Sequence, residues 1–195
     1  MKTDRLEAFS DGVIAILITI MVLELKVPHD ASFGALREMA PTLLCYVLSF
    51  IYLGIYWNNH HHLFQATDRI NGGVLWANNH LLFWLSLVPF ATAWMGENGF
   101  APAPTALYGV VLFCAAIAYT ILVRTLLAEP ANKRVAAAIG SDTKGNLSLI
   151  FYVAAIPLAF VNRVISDACY VSVALIWLIP DRRIESRIDQ ESAQT

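Results

Sequence analysis

The sequence predicts an all-α membrane protein with six transmembrane helices per chain. Of its 195 residues, 57% are hydrophobic and only 14% are charged, whereas a soluble domain is about half apolar and about a quarter charged. Several stretches approach the roughly 20 apolar residues that a helix needs to cross the hydrocarbon core. We therefore predict a membrane domain over residues 1–180 and a polar cytoplasmic tail over residues 181–195.

The predicted helices follow the apolar stretches in order. They span about 7–27, 37–57, 74–95, 105–127, 146–162 and 165–180. The first is apolar almost throughout, Asn71-Gly-Gly73 forms a turn before the third, and the Pro-rich segment 99–104 precedes the fourth. The fifth and sixth are short and close in sequence, so they require a tight turn or a helical hairpin. A five-helix count is the main alternative.

The placement of basic residues favours an even number of crossings. Cytoplasmic loops collect Lys and Arg, and with both termini in the cytoplasm only three of the 13 basic residues fall on the outer side, namely Lys26, Arg37 and Arg163. We therefore expect a multi-pass protein of the plasma membrane, embedded in the lipid bilayer, with both termini cytoplasmic.

Composition and motifs argue against several function classes. No basic block suggests a nucleic-acid partner, and no enzyme motif or phosphate-binding glycine loop stands out, so the chain is not expected to be an enzyme. Each of the three cysteines lies in an apolar run, without the spacing of a zinc site or a disulfide framework.

An apolar stripe runs along one side of the first predicted helix. At 100° per residue, this side collects Phe9, Gly12, Ile16, Ile20, Leu23 and Val27. Lipid or a neighbouring helix would accept such a face; alternatively, several copies form a narrow hydrophobic constriction that excludes ions until it widens. Thr19, at the edge of the stripe, either coordinates a partly dehydrated cation or bonds to the carbonyl of Ala15.

Charged and polar residues cluster at the start of the same helix. An ionisable group near the membrane is costly unless it is paired or solvated, so Asp11 is expected to have a partner. Arg5, in the same subunit or a neighbouring one, is the nearest candidate in sequence. Alternatively, Ser10 or Asp11 caps a helix that starts at Gly12.

Three histidines and one asparagine, at the inner end of the second helix and in the third helix, are candidate partners for this cluster. They are His60, His61, Asn78 and His80. Imidazole is also a common metal or haem ligand, but consecutive histidines on a helix point about 100° apart. Hydrogen bonding to Ser10 or Asp11 is the simpler interpretation.

The start of the chain resembles a known family. Residues 5–11 carry the pattern Arg-x-x-x-Phe-Ser-Asp, followed eight residues later by Thr19. This pattern is similar to the first-helix signature of the endosomal and lysosomal transmembrane potassium channel family, in its single-repeat prokaryotic branch. The resemblance continues through residues 24–28 and into the third helix, from residues 76–78 through 89–90.

The resemblance implies a homotetramer with one central pore, lined by the first helix of each subunit. Such a channel conducts K⁺ in preference to other monovalent cations and needs no cofactor. By position, the family's apolar constriction layers match Ile16, Ile20 and Leu23. Its potassium-preferring hydroxyl layer matches Thr19. The network that braces the pore helix matches Arg5, Phe9, Ser10 and Asp11.

One residue type departs from the family pattern, since prokaryotic relatives usually carry leucine where this chain has Ile16 and Ile20. Isoleucine is β-branched and stiff at χ1, so a constriction ring built of isoleucine is expected to narrow differently from one built of leucine. Nothing resembles the TVGYG loop of the usual potassium channels. Two other function classes remain as alternatives, a proton-coupled secondary transporter and a haem- or metal-binding membrane protein.

Overall fold

The computed structural model describes residues 3–133, 135 and 143–178, and this part of the chain is helical without strands. Its helices are α1 (Asp4–Leu23), α2 (Phe33–Glu38), α3 (Ala40–Gln65), α4 (Gly72–Ser86), α5 (Val88–Glu97), α6 (Pro102–Leu127), α7 (Thr143–Val161) and α8 (Arg163–Leu178). The prediction of an all-α membrane protein is confirmed. The predicted tail, 181–195, lies outside the described residues.

Five segments of the described chain are long and apolar enough to cross a membrane. They are Asp4–Leu23, Ala40–Gln65, Gly72–Glu97, Pro102–Leu127 and Thr143–Val161. These segments correspond to the first five predicted helices. α8 has 16 described residues, fewer than a full crossing needs. The sixth crossing and the location of the termini therefore stay predictions.

The third predicted helix, 74–95, is interrupted in the structure. α4 ends at Ser86, Leu87 forms a turn, and α5 starts at Val88. Pro89 explains the break, because proline lacks the amide hydrogen that would continue the hydrogen-bond pattern of α4, and its ring clashes with the carbonyl four residues earlier. At the start of α5 the same proline is tolerated, since first-turn amides have no partner within the helix.

The second predicted helix, 37–57, starts and ends later in the structure. α3 begins at Ala40, with Pro41 in its first turn, and continues to Gln65. The polar residues after Trp57 suggested the end of the helix, but several of them contact other helices and remain helical.

The ends of the first and last described helices also differ from the prediction. α1 runs over Asp4–Leu23 instead of 7–27.

The connection between α7 and α8 consists of Asn162 alone. Its Oδ1 accepts hydrogen bonds from the backbone nitrogens of Val164 (3.1 Å) and Ile165 (3.4 Å). The expected tight turn is therefore made by one capping residue.

α6 lies at the centre of the packing, where it contacts α4, α5, α7 and α8, whereas α1 packs on α3, α4 and α5. α1 is thus held on one side only, and its other side faces away from the protomer.

A close approach between α3 and α5 depends on Gly96, because a Cβ there would lie 2.8 Å from the Cα of Thr42.

Asn132 joins the α3–α4 loop to the end of α6. Its Oδ1 accepts from the backbone nitrogens of Asp68 (3.1 Å) and Arg69 (2.9 Å). Its Nδ2 donates to the carbonyls of Arg69 (2.9 Å) and Leu126 (3.1 Å). With its side-chain amide fully used, this buried residue fixes the loop beside the end of the bundle where α3 terminates.

Candidate functional site: the two faces of α1

One face of α1 is buried against the rest of the protomer. Its buried residues are Leu6, Ser10, Ile14, Leu17 and Met21. They recur at intervals of three and four, so they lie on one side of the helix. This arrangement places a serine in an otherwise apolar packing surface.

The opposite face carries the predicted constriction residues, and it is exposed in the protomer. The exposed fractions are 58% for Ile16, 39% for Ile20 and 80% for Leu23. Phe9 begins the same stripe and is 54% exposed. The structure therefore brings these residues together on one unpartnered side of the helix.

Thr19 is also exposed, beside the stripe. Its hydroxyl donates to the carbonyl of Ile16 at 2.8 Å, and not to Ala15 as the alternative interpretation predicted. Because the proton is held by the helix backbone, the lone pairs of the oxygen are left to face outward. The exposed group at this position is thus a hydrogen-bond acceptor, as a cation ligand must be.

Behind the stripe, a buried chain of hydrogen bonds links α1 to α3 and α4. Asn78 Nδ2 donates to Ser10 Oγ at 2.9 Å, and Ser10 in turn donates to the carbonyl of Leu6 at 2.9 Å. The Oδ1 atom of Asn78 lies 2.8 Å from His60 Nε2. Since the amide oxygen only accepts, His60 carries its proton on Nε2. Ser10, His60 and Asn78 are all fully buried.

A second set of contacts joins α1 to α3 at the edge of the bundle. Trp57 Nε1 donates to Asp11 Oδ1 at 3.0 Å, and the ring of Trp57 stacks on that of His61 with centroids 5.7 Å apart. His61 Nδ1 lies 2.9 Å from Glu7 Oε1, and Gln65 Nε2 lies 2.8 Å from His61 Nε2. Two acidic residues one turn apart on α1 therefore meet matching donors on α3.

The proton position on His61 follows from its two neighbours. The Gln65 amide nitrogen only donates, so a neutral His61 accepts at Nε2 and donates to the Glu7 carboxylate from Nδ1. Sequence reasoning missed Glu7 and Gln65. The available signal was spacing: Glu7 and Asp11 share a face of α1, as Trp57, His61 and Gln65 share a face of α3.

Arg5 and His80 do not join these contacts within the protomer. Arg5 is exposed on the stripe side of α1 and forms no ion pair with any described residue, so the Asp11 partner within the subunit is Trp57. His80 Nε2 accepts from Trp84 Nε1 of its own helix at 3.0 Å. The alternative that Ser10 or Asp11 caps a helix starting at Gly12 is wrong, because α1 begins at Asp4.

Potential metal ligands do not converge in the described ranges. In these ranges, no group of three or more His, Cys, Asp or Glu side chains is placed to hold a metal ion. Cys45, Cys114 and Cys169 are unpaired thiols, and Cys45 is buried.

The chain is similar to known channels. The family model described as "Endosomal/lysosomal potassium channel TMEM175" matches residues 5–89. A protein named potassium channel from Chryseobacterium sp. is 54% identical over 191 residues, which cover 97% of this chain and 100% of that protein. A zebrafish (Danio rerio) protein named endosomal/lysosomal proton channel TMEM175 is 27% identical over 65% of this chain and 24% of its own length.

A solved structure shares the fold. The crystal structure of a lysosomal potassium-selective channel TMEM175 homolog from Chamaesiphon minutus superimposes with a TM-score of 0.79 at 28% identity, covering 91% of this chain and 96% of that one. Together with the near full-length bacterial relative, this likeness confirms the resemblance seen in residues 5–11. The chain belongs to the TMEM175 family.

Proposed function

We propose that this protein is a potassium-preferring cation channel in which four copies of the chain surround one pore lined by α1. The observation that carries the proposal is the contrast between the faces of α1: polar contacts hold one face, while Ile16, Ile20 and Leu23 are exposed on the other. The names of the bacterial relatives and of the matching structure support potassium as the permeant ion. Membership of a channel family confirms that the chain is not an enzyme.

In this arrangement, the exposed stripe supplies the constriction. Four copies of Ile16, Ile20 and Leu23 form stacked apolar rings, which exclude water and ions when narrow and conduct when they widen slightly. An ion that passes must shed part of its hydration shell. This loss disfavours Na⁺ more than K⁺, because the smaller ion holds its water more tightly. No cofactor is needed.

Thr19 adds a polar layer of hydroxyl groups between these apolar rings. With its proton donated to the Ile16 carbonyl, the hydroxyl oxygen directs lone pairs toward the ion path, and four copies form a ring of acceptors. Such a ring replaces part of the lost hydration shell. It favours K⁺, because removing water from K⁺ requires less free energy than removing it from Na⁺.

The contacts on the other face keep the rings in position. Ser10, Asn78 and His60 hold α1 from behind, and Asp11 with Trp57 holds its edge. Arg5 lies at the start of the exposed stripe, where a carboxylate of a neighbouring subunit is its proposed partner. We place the protein in the plasma membrane, with lipid around the tetramer and both termini cytoplasmic.

The proposal is tested with the purified protein. Its mass in detergent is measured by light scattering, and fluxes of K⁺, Na⁺ and protons are measured after reconstitution into vesicles. Protons are included because vertebrate relatives are named proton channels. We expect a tetramer and K⁺ uptake that exceeds Na⁺ uptake. A monomer, or vesicles as tight to K⁺ as protein-free vesicles, contradicts the proposal.

A further inference from the structure

Two polar residues interrupt the exposed side of α4. Asn79, His80 and Phe83 are exposed there, at intervals of three and four. They belong to Gly72–Glu97, a segment that is long and apolar enough to cross a membrane. Lipid tails offer a polar side chain no hydrogen-bond partner, so polar and ionisable residues in such helices usually face protein or water. We therefore expect protein or water, and not lipid, to cover this side of α4.

Both polar side chains have hydrogen-bonding groups to offer. His80 Nε2 accepts from Trp84 Nε1 at 3.0 Å, so a neutral His80 carries its proton on Nδ1. Within the described residues, this second N–H has no acceptor, and the side-chain amide of Asn79 has no partner. These groups are available to a molecule outside the protomer.

A matching acceptor lies at the same depth on α1. The hydrogen bond between Asn78 and Ser10 places these two residues level with each other, so the adjacent His80 lies about level with Asp11. Asp11 accepts from Trp57 through Oδ1, and its Oδ2 has no hydrogen bond to a described residue. Rotation about an axis normal to the membrane keeps every residue at its depth. In a ring of subunits, Asp11 and His80 of neighbours are therefore level.

The helices on either side of α1 bring these two residues toward each other. Trp57 of α3 contacts Asp11, whereas Asn78 of α4 contacts Ser10, so α3 and α4 pack on different sides of α1. In a closed ring, each subunit joins two different surfaces of its neighbours. If α1 faces the central axis, the α3 side of one subunit meets the α4 side of the next.

We propose that His80 Nδ1 donates to Asp11 Oδ2 of the neighbouring subunit, and that Asn79 lies in the same interface. Both oxygens of Asp11 are then used, one by its own Trp57 and one by the neighbour. Each pore helix is thereby braced by two subunits. This inference rests on the proposed tetramer and names the surfaces that join its subunits.

The location of the interface is tested by disulfide cross-linking. Ala15 and Phe83 are exposed, and each lies one helical turn further along its helix, Ala15 after Asp11 and Phe83 after Asn79. Ala15→Cys and Phe83→Cys are made in separate full-length chains with different affinity tags. The two chains are produced together and oxidised mildly. We expect a covalent dimer that carries both tags, which only two different subunits can form.

Two controls make the cross-link specific. Both chains also carry Cys114→Ser and Cys169→Ser, because these native thiols are partly exposed, whereas Cys45 is buried. Ala154→Cys is the same substitution as Ala15→Cys at an exposed position of α7. Combined with Phe83→Cys, it should give no dimer with both tags.

The hydrogen bond itself is tested at His80. His80→Gln keeps an N–H donor, whereas His80→Leu has none. Subunit dissociation is followed on dilution in detergent. We expect His80→Leu to raise the dissociation constant of the tetramer by about tenfold or more, because four interhelical hydrogen bonds are lost together. His80→Gln should stay close to the unaltered protein.

The outcomes separate the interface from the channel. A tetramer that takes up potassium but gives no dimer between Ala15→Cys and Phe83→Cys overturns the interface and leaves the proposed function intact. The dimer in a protein that conducts no potassium supports the interface and contradicts only conduction. Equal dissociation constants for His80→Leu and the unaltered protein overturn the hydrogen bond, and a monomer contradicts both proposals.

Discussion

The two faces of α1 differ in what their side chains contact. On one face, Ser10 lies in a fully buried hydrogen-bond chain with Asn78 and His60. On the other, Ile16 and Leu23 contact little of their own protomer and are 58% and 80% exposed. Lipid tails are as apolar as leucine, so no hydrophobic effect drives one transmembrane helix onto another. Packing and interhelical hydrogen bonds of this kind therefore hold α1 in place.

This contrast predicts that protomer stability and ion conduction depend on different faces of α1. Changes on the buried face should loosen the protomer, and changes on the exposed face should alter ion flow while leaving the protomer intact. A substitution that affects both equally would mean that the two faces are not independent.

The largest effect is expected for Asn78→Leu. Leucine has a similar size but leaves the His60 Nε2–H without its acceptor in a buried site and removes the donor to Ser10 Oγ, which keeps its bond to the Leu6 carbonyl. An unsatisfied buried group costs about 1–3 kcal/mol. We expect the free energy of unfolding to fall by about 2 kcal/mol, measured by thermal and denaturant unfolding in detergent.

The control for Asn78→Leu is Asn58→Leu, because Asn58 is exposed on α3. That change should alter the unfolding midpoint little. If both variants unfold alike, the buried chain does not hold α1 in place.

On the exposed face, Ile20→Asn should increase conduction. A polar amide in each subunit would hydrate the proposed constriction and lower its barrier, and a change of 1.4 kcal/mol corresponds to about tenfold in rate. We expect potassium flux into vesicles to rise by about that factor at an unchanged unfolding midpoint. Leu175→Asn, at an exposed site on α8, is the control. An unaltered flux in Ile20→Asn would contradict the placement of this stripe in the pore.

Helix positions were predictable where apolar runs are uninterrupted and less so where local chemistry intervenes. The apolar content of 74–95 predicted one helix, but Pro89 divides it into α4 and α5. The polar run after Trp57 suggested the end of a helix, yet α3 continues through it. In this part of α3, the polar side chains contact other helices instead of lipid. Hydropathy alone does not predict such contacts between helices.

The candidate site was predictable in its residues but not in its pairings. The spacing of the stripe placed Ile16, Ile20 and Leu23 on one face, and the structure agrees. The expected partner of Asp11 was Arg5, the nearest cation in sequence, whereas the protomer supplies the indole of Trp57. Partner choice depends on how α1 and α3 are rotated against each other, which single-helix periodicity does not determine.

Trp57→Phe isolates that unexpected pairing at the edge between the two faces. Phenylalanine keeps a ring that can stack on His61 but removes the Nε1–H that Asp11 accepts. Because Trp57 is partly exposed, water replaces some of the lost bond, so we expect a loss of about 1 kcal/mol in unfolding free energy. Trp76→Phe, at a residue that is 77% exposed, should cost less. An equal loss in both variants would show that the indole hydrogen bond contributes nothing.

The smallest effect is expected for Thr19→Val, which keeps the shape of the side chain and removes the hydroxyl. The backbone bond to Ile16 is a local one, so stability should hardly change. If the hydroxyl oxygens form a ring beside the permeating ion, their loss removes acceptors that partly replace hydration. We expect the ratio of potassium to sodium flux to fall about two- to threefold, equivalent to about 0.5 kcal/mol. Thr19→Ser, which restores the oxygen, should recover the ratio. A valine variant with the original ratio would place Thr19 against lipid or a neighbouring helix, and selectivity would then depend on the apolar rings alone.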